Sequence, residues 1–476
     1  MGSYKATIGL EIHAQISTKT KMFCFCDNDS FQKEPNINTC PICMGYPGQL
    51  PMINEEAVNK GIKVALALNL NIQKFSKFDR KNYFYPDLPK GFQISQFDQP
   101  LAQNGYVEIV VNGDVKKVRI NRLHLEDDAG KLTHVRDGTL CDYNRSGTPL
   151  MEIVTEPDLS TPEEASLYAK EIQKILRYVE ASECDMEKGM MRFDINISIR
   201  PEGQEKLGTR TEVKNLNSFR ALEKALEYEI ERQTGVLDKG EKVNQETRGW
   251  DTNKEITVSQ RSKEESHDYR YFPEPDLPPV TLSDEDLKEL KENLPELPKD
   301  KYNRFLDEYK VGEDDARILT DDIYKANFFK EVVKVSDDPQ KAVSFINTIL
   351  LKKLKEDQIG IQDCKITGKR MGELIKMIND GEISGNMAKS EIFDEMYISG
   401  KDPKKIVEEK GLKQVSDESE LEKICQEVID ENPGQIEQFK GGKENIFGFF
   451  VGQAMKKTKG QGNPQKINEI LRKKLK

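Results

Sequence analysis

Carboxylates and histidines recur in this chain at a spacing of two, interleaved with apolar residues. Glu11 and His13 alternate with Ile8, Leu10, Ile12, Ala14 and Ile16, which puts them roughly 7 Å apart along one side of a strand. Arg122, His124, Glu126 and Asp128 share a face opposite Leu123 and Leu125, and Glu152 stands between Met151 and Ile153. Arg192, Asp194, Asn196 and Ser198 oppose Phe193, Ile195, Ile197 and Ile199, while Arg210, Glu212 and Lys214 form a last set. One wet face is normal for an antiparallel sheet, and that plain explanation covers any single strand. Wet faces, however, usually carry Lys, Thr, Ser and Glu, whereas this one gathers Glu, His, Asp and Asn among arginines. Carboxylates with a histidine suit Mg²⁺ or Mn²⁺, and neighbouring cations suit phosphate oxygens. A sheet lined this way can clamp a nucleotide through metal ions and stabilise a phosphoryl group in transfer.

A second constellation is Cys24-Phe-Cys26 followed, thirteen residues on, by Cys40-Pro-Ile-Cys43. Two closely spaced thiolate pairs can close a tetrahedron around zinc, with Zn–S near ~2.3 Å. All four positions are sulfur and none is left for water, so Zn²⁺ there staples a loop and performs no chemistry. Small buried hydrophobes, or a redox pair, are the alternatives. Cys141, Cys184, Cys364 and Cys425 are scattered and read as packing residues. Four of eight cysteines crowd together and no export signal precedes them, which points to reduced thiols in the cytoplasm.

The elements that carry these residues can be read from period and punctuation. Val107, Ile109 and Val111 run into Asn112-Gly113, and the chain returns through Val118 and Ile120, a hairpin. Thr161-Pro162-Glu-Glu164 is a capping box that opens a helix to about Glu180, and Ser218 opens another that stops at Gly235. Hairpin-linked strands with intervening helices predict an α+β fold with a largely antiparallel sheet. The two prolines of Asn293-Leu-Pro-Glu-Leu-Pro298 mark a change to Lys, Glu, Leu and Ile at helical spacing, and a softer break falls near Gly400-Lys-Asp-Pro403. The expected division is a 1–292 α+β domain, a 293–405 all-α domain and a 406–476 α tail. A length of 476 residues suits about three domains. Pro86-Asp-Leu-Pro89 is echoed by Pro275-Asp-Leu-Pro278, each just after aromatics, Tyr83-Phe-Tyr85 and Tyr269-Arg-Tyr-Phe272. Such stiffened loops make rigid pocket walls, or are two ordinary surface loops.

Charged residues make up 33% of the chain and no run of about 18 apolar residues occurs, so a transmembrane helix and a membrane role are excluded. No Walker-type or dinucleotide-binding glycine loop follows a strand, so any nucleotide must bind through the polar sheet. Residues 451–476 hold eight basic residues against Glu469 alone, in a chain of net charge −11. Ile467, Ile470, Leu471 and Leu475 recur at helical spacing, which predicts a docked helix with a basic outer face. A local basic patch on an acidic protein suits folded RNA. Lys456, Lys457, Lys459, Lys473 and Lys474 are the candidate phosphate contacts.

Several long motifs resemble one family. They are Ile8-Gly-Leu-Glu-Ile-His13, Cys40-Pro-Ile-Cys-Met-Gly-Tyr-Pro-Gly48, Lys81-Asn-Tyr-Phe-Tyr-Pro-Asp-Leu-Pro-Lys90, His124-Leu-Glu-Asp-Asp-Ala-Gly130, Asp142-Tyr-Asn-Arg-Ser-Gly-Thr-Pro-Leu-Met-Glu152 and Arg210-Thr-Glu-Val-Lys-Asn215. Through them the chain resembles the GatB subunits of the aspartyl/glutamyl-tRNA(Asn/Gln) amidotransferases over almost its full length. The resemblance implies a glutamine synthetase-like cradle domain, then helical and tRNA-binding tail domains. It implies assembly with the amidase (glutaminase) subunit and the small subunit of the same complex. It also implies ATP-dependent phosphorylation of the side-chain carboxylate of Glu-tRNA(Gln) or Asp-tRNA(Asn), then amidation by channelled ammonia. On the same ground, Glu11, His13, Glu126 and Glu152, with Asp194 and Glu212 second, are the expected catalytic metal ligands for Mg²⁺ or Mn²⁺. Arg145, Asn196, Lys214 and Arg270 are the expected contacts to ATP and acyl phosphate. Lys81, Tyr83 and Tyr85 are expected along the ammonia route or at the aminoacyl end. Two other readings compete with this ligase: a tRNA scaffold whose sheet is merely wet, and a free-standing ligase of small carboxylic acids.

Overall fold

The computed structural model describes residues 3–262, 268–412, 418–440, 444–458 and 462–475. They fall into two compact units, Met1–Pro298 and Lys299–Lys476. A nine-stranded sheet underlies the first: β1 Tyr4–Gln15, β2 Asn71–Ile72, β3 Ala102–Val111, β4 Asp114–Asp127, β5 Pro149–Thr155, β6 Met191–Pro201, β7 Thr211–Leu216, β8 Glu246–Asp251 and β9 Ile256–Ser262. The order across it is β9-β8-β7-β6-β1-β5-β4-β3-β2, and every neighbouring pair is antiparallel except β7 with β8. The α+β expectation therefore holds. Asn112 and Gly113 both take positive φ, 52° and 91°, which is what a two-residue turn matched to strand twist requires.

Helices α1 Glu55–Ala67, α2 Pro162–Tyr178 and α3 Phe219–Asp238 give the sheet an apolar cover. Ile62, Tyr168, Ile172, Leu222 and Leu226 share one core with Ile8, Leu10, Ile12, Leu123, Leu125 and Ile195. Each such side chain contributes about 1.5–3 kcal/mol when taken out of water. A one-residue slip in any strand would exchange this set for Glu11, His13 and Glu126, so the core fixes the register. The polar positions must then face away from the helices, and this is what assembles them.

Two helix boundaries differ from expectation. The Thr161 hydroxyl accepts the Glu164 N–H at 3.1 Å, but the Glu164 carboxylate turns to the Ser160 N–H (2.7 Å) and Lys116 (2.6 Å), so half of the capping box forms. Helix α3 does not stop at Gly235 but runs on to Asp238. A glycine costs a helix only about 1 kcal/mol, and the further turn places Leu237 against the core.

A smaller sheet of strands Asp79–Asn82, Phe92–Ser95 and Phe272–Pro273 brings the two echoed loops together. Arg80 grips Glu274 with two hydrogen bonds, 2.7 and 2.8 Å, and the Asn82 N–H donates to the Tyr269 carbonyl at 2.9 Å. Tyr83 and Tyr269 consequently meet edge to face, with centroids 5.7 Å apart.

The second unit is helical among its described residues. Helices α4 Ile323–Ser336 and α5 Gly368–Asn379 pack closely because Gly372 has no side chain. A Cβ there would lie 2.6 Å from Val335 Cβ. The expected break before residue 406 falls inside a helix, Pro403–Lys410, whose Ile406 and Val407 pack with the core of residues 305–412. A separate core starts at Leu421 and joins α6 Glu418–Asp430, α7 Phe447–Lys457 and α8 Pro464–Leu475. Ile467, Ile470, Leu471 and Leu475 are buried in it as their spacing predicts, while Arg472, Lys473 and Lys474 face solvent. Among the described residues no helix is long and apolar enough to cross a membrane.

Candidate active site

Strand register sets the polar face row by row. His13 on β1 lies opposite Glu152 on β5 and Arg192 on β6, Glu152 lies opposite His124 on β4, and Glu11 lies opposite Asp194. These residues floor a cavity of about 420 Å³ whose wall includes Lys81, Tyr83, Tyr269 and Tyr271. A histidine is shared between two ligand clusters, Glu11/His13/Asp194 and His13/Glu126/Glu152. His13 Nδ1 is 3.5 Å from Glu126 and 3.9 Å from Glu152, and its Nε2 is 3.9 Å from Asp194. A neutral imidazole has one lone pair, so it can ligate in one cluster while its N–H turns to a carboxylate of the other.

Charge balance differs between the two. Burial raises the Glu152 carboxyl, but His124 and His13 outweigh it and bring its pKa down to about 2. Burial likewise opposes a charged imidazole at His124, yet Glu152 and Glu126 hold its pKa up at about 9. Glu11 is shifted the other way. Burial, with the Glu152 and Asp194 carboxylates, raises its pKa despite Lys214 and a 2.8 Å hydrogen bond from Asn196. The buried Nδ1 atoms of His13 and His124 have no hydrogen-bond partner among the described residues. Clustered carboxylates around one shared imidazole are a donor set that fits divalent cations.

A proton count follows from the His124 shift. Near neutral pH its ring is charged because Glu126 and Glu152 are anionic, and a cation bound to them removes that support. Titrating the protein with Mn²⁺ in weak buffer is expected to release protons, with affinity rising as pH climbs towards about 9. Calorimetry in buffers of different ionisation enthalpy measures this, and a pH-independent affinity would contradict it.

The remaining expected site residues are distributed unevenly. Lys214 lines the cavity and pairs with Asp194 at 3.2 Å and Glu212 at 2.9 Å. Glu212 also lines it but belongs to neither ligand cluster, since Thr247 and Lys214 hold its carboxylate. Asp194 is set by a register shift between Phe193 and Ile195. Asn215 there takes φ 62° and gives its N–H to Asp194 at 2.8 Å. Lys81 stands 5.1 Å over the Tyr269 ring, and nearby Glu126 and Glu152 keep it charged against the cost of its burial. Tyr83 lines the cavity and donates to Gln93 at 3.2 Å.

Four expected residues do not line the cavity, the first being Asn196, whose side-chain amide donates to Glu11 at 2.8 Å. Arg145 donates to the Ala129 and Gly130 carbonyls at 2.9 and 2.6 Å. The Arg270 side chain is largely exposed and lies 4.0 Å from Asp268. Tyr85 is exposed at the loop surface. Even spacing from Tyr83 should have put Tyr85 on the same side, but this stretch is a loop and not a strand, so period two does not apply. His124, Arg192 and Asp128 were readable on the polar face but not singled out. His124 reaches Glu152 at 3.3 Å, and Arg192 reaches Asp128 at 3.2 Å.

The four clustered cysteines also converge, with sulfur atoms within 4.8 Å of one another and none in a disulfide. The Cys24 thiol hydrogen bonds to Cys43 and, with the Cys40 N–H and Lys21, brings Cys43 down to about 5 although burial opposes it. Burial pushes Cys26 up to about 12. Thiols held protonated beside the low Cys43 are the behaviour of a set that exchanges protons for a cation. The fit to Zn²⁺ is good.

The fold and site define a sheet-floored acid–histidine cavity with an adjoining cysteine knot and a separate basic helical tail. Residues 6–288 match the family model described as the GatB/GatE catalytic domain, and residues 327–475 match the GatB domain. A relative from Thermoanaerobacter pseudethanolicus, named as the B subunit of an aspartyl/glutamyl-tRNA(Asn/Gln) amidotransferase, is 51% identical over 99% of both chains. Relatives of the same name from Carboxydothermus hydrogenoformans and Persephonella marina are 49% and 50% identical, over 100% and 99% of this chain and 99% and 100% of theirs. The chain belongs to the GatB family of amidotransferase subunits.

Proposed function

We propose that the cavity on the polar sheet face is where the side-chain carboxylate of Glu-tRNA(Gln), Asp-tRNA(Asn) or both is activated by ATP and amidated. The observation that carries this reading is the pair of adjoining acid–histidine clusters sharing His13. A carboxylate is a poor electrophile because oxide would have to leave. Its attack on the γ-phosphorus of ATP expels ADP and forms an acyl phosphate. Ammonia then adds to the carbonyl carbon, phosphate leaves, and a proton is lost to give the amide.

Glu11, His13, Asp194, Glu126 and Glu152 would hold Mg²⁺ or Mn²⁺, which when bound supplies charge neutralisation for crowded phosphate oxygens. Lys81 and Lys214 offer fixed cations on opposite sides of this floor to anionic oxygens of substrate. The Tyr83 and Tyr269 rings, braced against each other at the cavity wall, would help to keep water from the reacting carbonyl. Ammonia itself comes from a separate amidase (glutaminase) chain, and a small third chain completes the cytoplasmic assembly. Zn²⁺ held by Cys24, Cys26, Cys40 and Cys43 would be structural.

The test is ATP hydrolysis by the reconstituted complex with Glu-tRNA(Gln), Asp-tRNA(Asn) and no tRNA. Hydrolysis stimulated by a misacylated tRNA supports the reading and names the substrate, whereas hydrolysis of equal rate without tRNA refutes it. A small-acid ligase would moreover be indifferent to removal of the tail.

The tail is the proposed tRNA contact. Lys456 and Lys473 are exposed, Lys474 donates to Gln426 at 2.9 Å, and Lys459 lies outside the described residues. Lys457 is already matched by Glu427 at 3.0 Å and Glu431 at 2.6 Å. Replacing Lys456 and Lys473 by alanine is therefore expected to weaken tRNA binding and flatten its log–log salt slope by about one unit or less per lost phosphate contact. Replacing Lys457 should change the slope least. Equal slopes for all variants would count against the patch.

A further inference from the structure

Most rings near the cavity are spent on packing, but one is not. Phe97 is 51% exposed at the cavity wall, whereas Phe23 and Phe78 in the core are 4% and 2% exposed. One face of its ring stacks on Tyr271, with centroids 4.2 Å apart and planes 9° from parallel. Both rings are held in place. The Phe97 N–H donates to Asp79 at 3.0 Å, and Asp79 is buried and paired with Lys77. Tyr271 is braced edge-on by Tyr269 at 5.9 Å. A rigid, parallel aromatic column opening into a polar cavity costs little entropy to extend by one more ring.

We propose that Phe97 and Tyr271 form a stacking platform for a purine base. The inference rests on the amidating reading of this cavity and deepens it. Two substrates of that reaction present the same chemistry, the adenine of ATP and the terminal adenine of the tRNA acceptor end. The two glutamines beside the platform are engaged within the protein. Gln96 accepts from the Leu101 and Leu125 N–H groups and donates to Ser76, and Gln93 donates to the Asp127 carbonyl and accepts from Tyr83. Recognition is then by ring stacking and not by the base edge, so other purines are tolerated there.

The experiment uses the assembled complex with two probes: 2-aminopurine riboside triphosphate, and misacylated tRNA whose terminal adenine is replaced by 2-aminopurine. Stacking quenches 2-aminopurine fluorescence. Quenching by wild type that is lost in Phe97→Leu and kept in Phe97→Tyr is expected in one arm, and that arm names the source of the base. The KM for that substrate should rise about tenfold in Phe97→Leu, the effect of losing one base–aromatic stack. Quenching absent from both arms, or unchanged by Phe97→Leu in both, overturns the platform even if the wild-type complex amidates normally. Phe97-dependent quenching in a complex that neither hydrolyses ATP nor amidates would keep the platform and sink the amidating reading.

Discussion

Replacing Glu126 by glutamine is expected to lower tRNA-dependent ATP hydrolysis and amidation on the order of 100- to 1,000-fold, with tRNA affinity unchanged. Glu126 is 1% exposed and lies within 3.5 Å of His13 and 3.7 Å of His124. Glutamine keeps the shape and removes the charge, so the cluster loses one anion while both imidazoles lose a partner. Burial would raise this carboxyl, but His124, His13 and Lys81 hold it well below the usual range, which favours its anionic form. The variant should also bind Mn²⁺ more weakly and release fewer protons on binding, because His124 is then less strongly charged beforehand. Unimpaired amidation by Glu126→Gln would leave the scaffold reading in its place, whatever family the chain belongs to.

Cys40→Ser, or exhaustive chelation, is expected to lower the unfolding midpoint of the first unit by on the order of 10 °C and to abolish bound zinc. Structural zinc in small sites contributes about 10–16 kcal/mol of apparent binding free energy. The segment it would tie has little regular secondary structure. Residues 16–54 hold no helix and a single isolated bridge, Thr20 to Asp27. Phe25 and Ile37 are exposed there, at 74% and 60%. The buried Lys21 ammonium donates to the Asn38 and Tyr143 carbonyls, at 2.7 and 3.5 Å, and sits 3.9 Å from Cys43. It therefore offsets part of a tetrathiolate's negative charge.

Loss of this knot should reach the active site as well. The Met22 N–H donates to Gly147, whose own N–H donates to Asp128 at the end of the strand that carries Glu126. Gly147 takes φ 89° beside Cys43, a backbone conformation strained for any residue with a side chain. Cys425→Ser is the control, since that thiol packs in the tail core and should leave zinc at one equivalent per chain. Elemental analysis and calorimetry decide the matter. A zinc-free wild type with the same midpoint would refute the assignment.

Much of this site was legible before any coordinates. Period two in residues 8–16, 122–128 and 192–199 separates apolar from polar positions, and water enforces that separation, so the identity of the polar face follows from local chemistry alone. The cysteine spacing is similarly self-announcing, because thiols so placed have few other uses. The Asn112-Gly113 turn and the Thr161 and Ser218 caps are short-range effects and appear where the residues demand. Alternation cannot say which strands become neighbours. Only the order β6-β1-β5-β4 sets His13 between two acidic clusters and puts His124 against Glu152, and that order depends on pairing strands distant in the chain, His13 with Glu152 and with Arg192. The same limit explains Arg145, Arg270 and Tyr85, whose types suit a substrate but whose loops turn them to backbone carbonyls or solvent. Composition thus determined what chemistry this chain could do, while long-range packing decided which side chains share a cavity, because contact between distant residues is a property of the folded core and not of any local stretch.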